Sequence, residues 1–401
     1  MKNNKNNNCN FPNLRFPEFQ EEWEKYKVSD ILEFFPTNSL SWEQLEFETD
    51  NIHNLHYGLI HKGLPTQIEL SKCTLPNIKD EFIPNKYTIC KEGDIAFADA
   101  SEDTNDVAKV VEFLNCNNKS IICGLHTIHG RDKRQLTTKG FKGYIFSSNP
   151  FRYQVRRLAQ GTKIYSINSR NFDELYISIP SKEEQTKIAH LLFLIDERIE
   201  TQNKIIEEYK KLKNALAVFF FGTSVKYTSV GEICDVIMGQ SPSSAAYNYV
   251  NNGLPLVQGN LDISEGTTSP RMWTSEITKQ CEIGDIILTV RAPVGVVAKS
   301  NMIACVGRGI CAIKVKESKY SEYVYQYLQY FKNKWISIEQ GSTFSAISRD
   351  DILSISIPAI TKKLTAASHI LALFDNKINA EISFLKMYRS QKQFLLSKMF
   401  I

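Results

Sequence analysis

The chain holds many residues able to do chemistry, but their spacing does not assemble a reaction centre. His126 and His129 in GLHTIHG stand three apart, yet no further ligand set lies nearby in the sequence, so a surface or core pair is expected. Gly161-Thr162-Lys163 is not a phosphate-binding loop, which needs a longer glycine-rich turn before its lysine. Asn149-Pro150-Phe151 lacks the second proline of the Asn/Asp-Pro-Pro-aromatic loop with which amino-methyltransferases treat a flipped base. A turn and helix cap is its expected role. No His-Glu-x-x-His helix or calcium loop occurs, and no carboxylate spacing singles out an acid–base pair. The nine cysteines are scattered, without a Cys-x-x-Cys pair or zinc spacing. They read as free thiols in a reducing cytoplasm, mostly small buried apolar groups. No catalytic residue, metal site or cofactor is expected in this chain.

Charge points instead to binding. The net charge is only +4, but it is unevenly spread. Between Arg131 and Arg170 ten basic residues meet one acid, Asp132, with Phe141, Tyr144, Phe146, Phe151, Tyr153 and Tyr165 interleaved. Between Arg291 and Arg349 nine basic residues meet three acids. A single such window could be a solvated face, whereas two suggest two surfaces for a polyanion.

The elements that must position these windows are duplicated. Gln185 to Phe221 aligns without gaps on Leu364 to Phe400, an offset of 179, with ten of 37 positions identical. Identities include His190/His369, Leu192/Leu371, Asp196/Asp375, Ile199/Ile378, Tyr209/Tyr388 and Leu216/Leu395. Upstream of each copy a strand is expected, Leu175-x-Ile177-x-Ile179 and Leu353-x-Ile355-x-Ile357, ended by Pro180 and Pro358. Before each strand a Gln-Gly follows a predicted helix, with Gly161 and Gly341 placed for a left-handed stop. Gly93-Asp94-Ile95 echoes Gly284-Asp285-Ile286, and Val28-Ser29-Asp30-Ile31 echoes Val230-Gly231-Glu232-Ile233.

The organisation expected is a tail and lead-in over 1–20, a globular unit over 21–180, a long helix over 181–222, a second unit over 223–358 and a second long helix over 359–401. Met1 to Asn10 reads as a disordered Asn/Lys tail. The first helix carries an apolar stripe of Ile188, Leu192, Ile195, Ile199, Ile206, Tyr209, Leu216 and Phe220. The second carries Leu371, Phe374, Ile378, Ile382, Leu385, Tyr388, Leu395 and Met399. A helix of that length, about 55 Å, needs a partner for its stripe, and its own duplicate in antiparallel array is the expected one. Burial against the globular units or pairing between two chains are the alternatives. Apolar runs are too short to span a bilayer, and the polar start is no secretory signal.

These features resemble the specificity subunit of type I restriction–modification systems over essentially the whole chain. PNLRFPEFQEEWEKYKVSDI resembles that family's lead-in. Met238 to Ile263, Gly284 to Gly295 and Val306 to Ile313 resemble one type of its target recognition domain. Glu184-Gln185 after Pro180 matches its strand-to-helix junction, where the second copy departs with Lys363-Leu364.

The resemblance implies an α/β (α+β) fold. Two target recognition domains with mixed or antiparallel sheets would be separated by two long antiparallel helices forming a coiled coil, in a pseudo-twofold repeat. It implies a non-catalytic chain whose two domains each read half of a bipartite, asymmetric site on double-stranded DNA. The helices would set the spacer and dock two methyltransferase subunits. S-adenosylmethionine, ATP and magnesium would belong to those and to restriction/translocase subunits. Candidate DNA contacts are Arg131, Lys133, Arg134 and Lys163 in the first domain. In the second they are Gln240, Ser241, Gln258, Asn260, Arg291 and Arg308, beside Gly239, Gly259, Gly295 and Gly309. Competing readings are the specificity subunit of a related multi-subunit enzyme that cuts on both sides of its site, a stand-alone DNA enzyme, and a coiled-coil scaffold.

Overall fold

The computed structural model describes residues 10–47, 49, 51–337 and 346–401. They form two compact units, Met1–Thr201 with Leu385–Ile401 and Gln202–Phe384. Each long helix therefore gives one end to each unit.

In the first unit, strand Glu24–Lys27 runs antiparallel to Tyr176–Ile179, with Glu24 opposite Ile179. The one-turn helix Val28–Ile31 follows and turns the chain into Leu32–Phe35. That strand edges a five-stranded mixed sheet, ordered Leu32–Phe35, Thr127–Asp132, Ile95–Ala98, Val110–Asn115, Gln67–Glu69. Ile95–Ala98 is buried at every residue, as its unbroken apolar run requires of a strand covered on both faces. A smaller sheet is ordered Ile121–Cys123, His53–Leu55, Asn77–Ile78, Leu45–Glu46, and its first pair is parallel.

The second unit repeats this plan. Tyr227–Ser229 pairs antiparallel with Ser356–Pro358, and helix Val230–Ile233 leads into Cys234–Met238. The large sheet runs Cys234–Met238, Ile310–Val315, Ile286–Thr289, Val297–Lys299, Thr267–Thr268, Ile263–Ser264. The small one runs Tyr247–Asn248, Met272–Thr274, Leu254–Val257, Ala304–Val306, Gln280–Cys281, again with a parallel pair, Leu256 beside Cys305.

Matching backbone hydrogen bonds fix residue equivalence. Val28 N donates to Leu175 O as Val230 N does to Ile355 O, and Asn38 N to Cys123 O as Gln240 N to Val306 O. Gly124 N donates to Leu55 O as Gly307 N does to Val257 O, and Asp99 N to His126 O as Val290 N to Gly309 O. The Gly-Asp-Ile echo is one turn made twice. Gly93 and Gly284 have φ of 82° and 90°, and Asp94 and Asp285 accept from the amides of Lys91 and Glu282.

The long helices are Lys182–Gly222 and Lys362–Lys398, and they pair antiparallel within each unit. In the first unit Lys392 Nζ lies 2.6 Å from Asp196 Oδ1, and Arg198 sits over the Tyr388 ring. In the second unit Lys213 Nζ lies 2.5 Å from Asp375 Oδ1, and Lys377 sits over Tyr209. With the 179 offset these are the same two contacts with the helices exchanged. Gln202 and Glu381, themselves equivalent positions, hydrogen-bond to each other.

The predicted stripe packs on two things at once. Ile188, Leu192 and Ile195 join the first unit's core together with Leu395, while Ile199 flanks it. Leu371 joins the second unit's core, Tyr209 meets Phe374 at 6.3 Å between ring centroids, and Ile206, Ile378 and Leu385 are buried.

One local expectation is corrected. The helix Asn149–Leu158 stops at Ala159, and Gly161 instead forms a pinched turn (φ 143°) in which a Cβ would strike the Ile164 carbonyl. Gly341 lies outside the described residues, as do residues 1–9 of the predicted tail. The lead-in is docked: Asn10 bonds to Trp23 O, Leu14 N donates to Lys398 O, and Arg15 forks onto buried Glu184 at 2.7 Å twice. This gives the junction Glu184-Gln185 its work. Gln185 bonds to Leu136 O, Pro180 O and the Thr138 amide, whereas its counterpart Leu364 simply enters the second core.

Candidate nucleic-acid interface

Five of the six residues expected in the second unit line one open cleft of about 430 Å³. Its walls are Ser241, Gln258, Gly259, Asn260, Arg291, Ala292, Arg308 and Gly309, two arginines, two amides and a hydroxyl with no carboxylate. The sixth, Gln240, is exposed beside it, its amide held on Val306 O and its carbonyl accepting from Thr278. These residues sit on turns that leave the ends of Cys234–Met238, Leu254–Val257, Ile286–Thr289 and precede Ile310–Val315.

The turns are pinned so that the side chains project. Ser241 Oγ accepts the Arg308 amide at 3.1 Å. Buried Asp262 accepts the Gln258 amide at 2.8 Å and is held on its other oxygen by Arg271 at 2.9 Å. Gly239 and Gly309 are required by close approach, since a Cβ would come within 2.1 Å of Gly307 O and 2.4 Å of Gln258 O respectively. Gly259 faces open space, so no such requirement applies there. Gly295 has φ of 84° and packs on Trp335. Charged and amide donors on rigid turns, with no competing acid, are suited to phosphates and to acceptor-rich base edges.

The first unit's basic candidates fare differently. Arg131 is spent internally: Nε and Nη2 fork onto Asp94 at 2.8 and 2.6 Å, and the guanidinium stacks over Phe35. His129 Nε2 completes the knot at 2.8 Å from Asp94. Burial disfavours ionisation of both Asp94 and His129. For Asp94 the bonds from His129 and Arg131 outweigh it and hold the carboxyl below its usual range; for His129 the Asp94 carboxylate and the Cys90 sulfur outweigh it and push the imidazole up to about 9. Lys133 Nζ donates to Ser29 O, and its equivalent Lys316 donates to Gly231 O and Glu232 O; both lysines cap the one-turn helix of their unit. Arg134 is exposed over the Tyr26 ring. These three lie at or beyond the Asp132 end of Thr127–Asp132, whereas the equivalent of Arg308 precedes its start.

Residue equivalence locates the matching surface of the first unit at Ser39, His56, Tyr57, Ala100, Leu125 and His126. An aromatic and imidazole cluster occupies it. His56 stacks with Trp42 and Tyr57 at 4.5 and 4.8 Å, and Tyr57 meets His61 and His126 edge-on. His126 Nδ1 lies 3.1 Å from Asp99. Lys163 is exposed in the neighbouring loop, whose strand Tyr165–Ser166 pairs with Ala100–Ser101. The second unit's corresponding loop, 338–345, lies outside the described residues. The sequence offered no charge signal for the aromatic surface; only the pairing registers reveal it.

The comparisons with known proteins follow this geometry. The model of the type I restriction modification DNA specificity domain matches twice, at residues 20–211 and 224–383. A Methanocaldococcus jannaschii protein described as the specificity subunit of the type I restriction enzyme MjaX is 29% identical, over 91% of each chain. The crystal structure of a type I restriction–modification S subunit from M. genitalium superposes with a TM-score of 0.60 at 17% identity, covering 98% of this chain and 99% of that one. A chain from a study of type I complex assembly and conformational transition gives 0.57 at 21% identity, covering 93% and 96%. At these identities the two structures speak for the fold. No helix among the described residues is long and apolar enough to cross a membrane.

Proposed function

The chain belongs to the type I restriction–modification DNA specificity family, and from that premise we propose that its two turn-built surfaces each read one half of a bipartite, asymmetric DNA site. It is a DNA-specificity subunit and not itself an enzyme. The observation that carries the proposal is the acid-free cleft in which Ser241, Gln258, Asn260, Arg291 and Arg308 converge. The equivalent surface of the first unit offers Tyr57, His126 and Lys163 instead. Different chemistry at equivalent positions is what an asymmetric site needs. Arg134 keeps only a phosphate-contact role, and Arg131 and Lys133 act through the fold.

The helices are the spacer and the docking rod. Leu194 and Leu373 are equivalent and stand 48% and 67% exposed, and Ile205 and Phe384 repeat the pattern at 37% and 44%. Apolar groups displayed twice at the repeat interval suit two identical partners, here methyltransferase subunits bringing S-adenosylmethionine. Restriction/translocase subunits with ATP and magnesium complete the assembly, in the cytoplasm. The related enzyme that cuts on both sides of its site is not favoured.

Mapping methylated adenines in cells carrying this chain and its methyltransferase subunit tests the reading. Arg308→Ala and Arg291→Ala are expected to cost ~1–3 kcal/mol of discrimination and to relax one half of the recognised sequence only. Lys133→Ala is expected to leave the methylated sites unchanged. Wild-type site selection in both arginine variants would refute the cleft's role.

A further inference from the structure

One buried cluster in the first unit is not among the residues proposed to read DNA. Cys90, Cys123 and His129 each present a sulfur or ring nitrogen, and these atoms lie within 4.8 Å of one another. The two sulfurs are 3.5 Å apart. Cys90, Cys123 and His129 are 3%, 2% and 0% exposed. His129 Nε2 is fixed on Asp94, and Arg131 grips that carboxylate in turn. Nδ1 is buried with no nitrogen or oxygen partner, and the ring interacts with the Cys90 sulfur. A carboxylate behind one ring nitrogen, with the other free of such partners, is the arrangement that orients an imidazole towards a metal ion. Two thiols and an imidazole form a soft set of the kind that selects zinc.

The internal repeat supplies a control. Residue equivalence puts Cys281 at the place of Cys90, Val306 at Cys123 and Ala312 at His129. All three belong to an apolar core in the second unit. The fold therefore closes this position perfectly well with apolar side chains, and the polar trio of the first unit needs another explanation than packing.

We propose that Cys90, Cys123 and His129 are three ligands of a structural zinc ion. On binding, each thiol gives up its proton to solvent and His129 coordinates through a ring nitrogen that carries no proton. The ion would tie the segment before Ile95–Ala98, the strand Ile121–Cys123 and the strand Thr127–Asp132 to one point. Asn38 and Thr37 hydrogen-bond to the carbonyls of Cys123 and Thr127, so that point supports the turn that holds Ser39.

The test uses the full chain purified under reducing conditions without chelator. Elemental analysis should find one zinc per chain, lost in Cys90→Ala and kept in Cys281→Ala. The double variant Cys123→Val/His129→Ala installs the second unit's own side-chain types. It should fold without zinc, and its thermal midpoint should ignore a chelator that lowers that of the wild type. Cobalt(II) added to the stripped wild-type chain should give thiolate charge-transfer and tetrahedral d–d absorption, absent from the double variant. A folded wild-type chain that carries no zinc and gives no cobalt spectrum would overturn the proposal. So would undiminished zinc in the folded double variant, or a Cys90–Cys123 disulfide found by mass spectrometry.

Discussion

At the residue scale, chemistry was easier to recognise than its direction of use. Arg131 and Lys133 stand in the most basic stretch of the chain, but a charge count cannot say whether a cation meets solvent or the fold. Arg131 finds Asp94 across 37 residues, and Lys133 finds Ser29 O across 104. His56 illustrates the opposite case, a residue with no sequence signal and a defined task. Its Nδ1 accepts the Gly58 amide and so caps the helix Tyr57–Lys62. Burial, then His126 and Lys62, lower its pKa below the ordinary 6.5. Because the folded value is the lower one, the unfolded chain takes up the proton first. The cap's contribution is complete above about pH 6.5 and erodes as pH falls below it. Thermal unfolding followed between about pH 7 and pH 5 should show this decline, and His56→Asn, which keeps an acceptor at the cap, should flatten it. An unaltered pH slope in that variant would remove His56 from the argument.

At the scale of elements, the repeat states its own packing. Asp196/Asp375 and Lys213/Lys392 are all retained between copies, and the structure joins them crosswise as Lys392–Asp196 and Lys213–Asp375. In the second unit Gln329 and Gln326 take up the remaining valences of Lys213 and Asp375; in the first, the Tyr144 hydroxyl donates to Asp196. Burial lowers the Lys213 pKa even with Asp375 beside it, so the lysine alone would be costly. Lys213→Met is expected to destabilise by ~1–3 kcal/mol by leaving Asp375 without its cation. A double-mutant cycle with Asp375→Leu should show a coupling of ~0.5–3 kcal/mol, recovering part of that loss. Purely additive effects in denaturant titrations would mean that the pair does not couple the helices. The helix stripe was legible from periodicity. Its division between a globular core and a partner helix was not, because one apolar face can satisfy either.

At the scale of the whole molecule, two units built on one sheet plan, the second with one more strand in each sheet, carry different surface side chains on corresponding turns. Each surface is assembled from turns of its own unit. Replacing residues 225–358 by another recognition domain of the family should therefore change one half of the recognised DNA sequence and leave the other as it was. Methylome sequencing reads this directly, and a change in both halves would contradict modular reading.

By itself the sequence determined the duplication, the long amphipathic helices and the identity of the second unit's polar turns. Those are local matters, set by periodicity, by glycines that permit close backbone approach, and by polar residues between short apolar strands. Only the tertiary structure decided which cations are spent on internal partners, which turns of the first unit correspond to the second unit's cleft, and that Cys90, Cys123 and His129 meet. Each of those depends on contacts between residues far apart in the chain, fixed by sheet register, and no spacing along one segment encodes them.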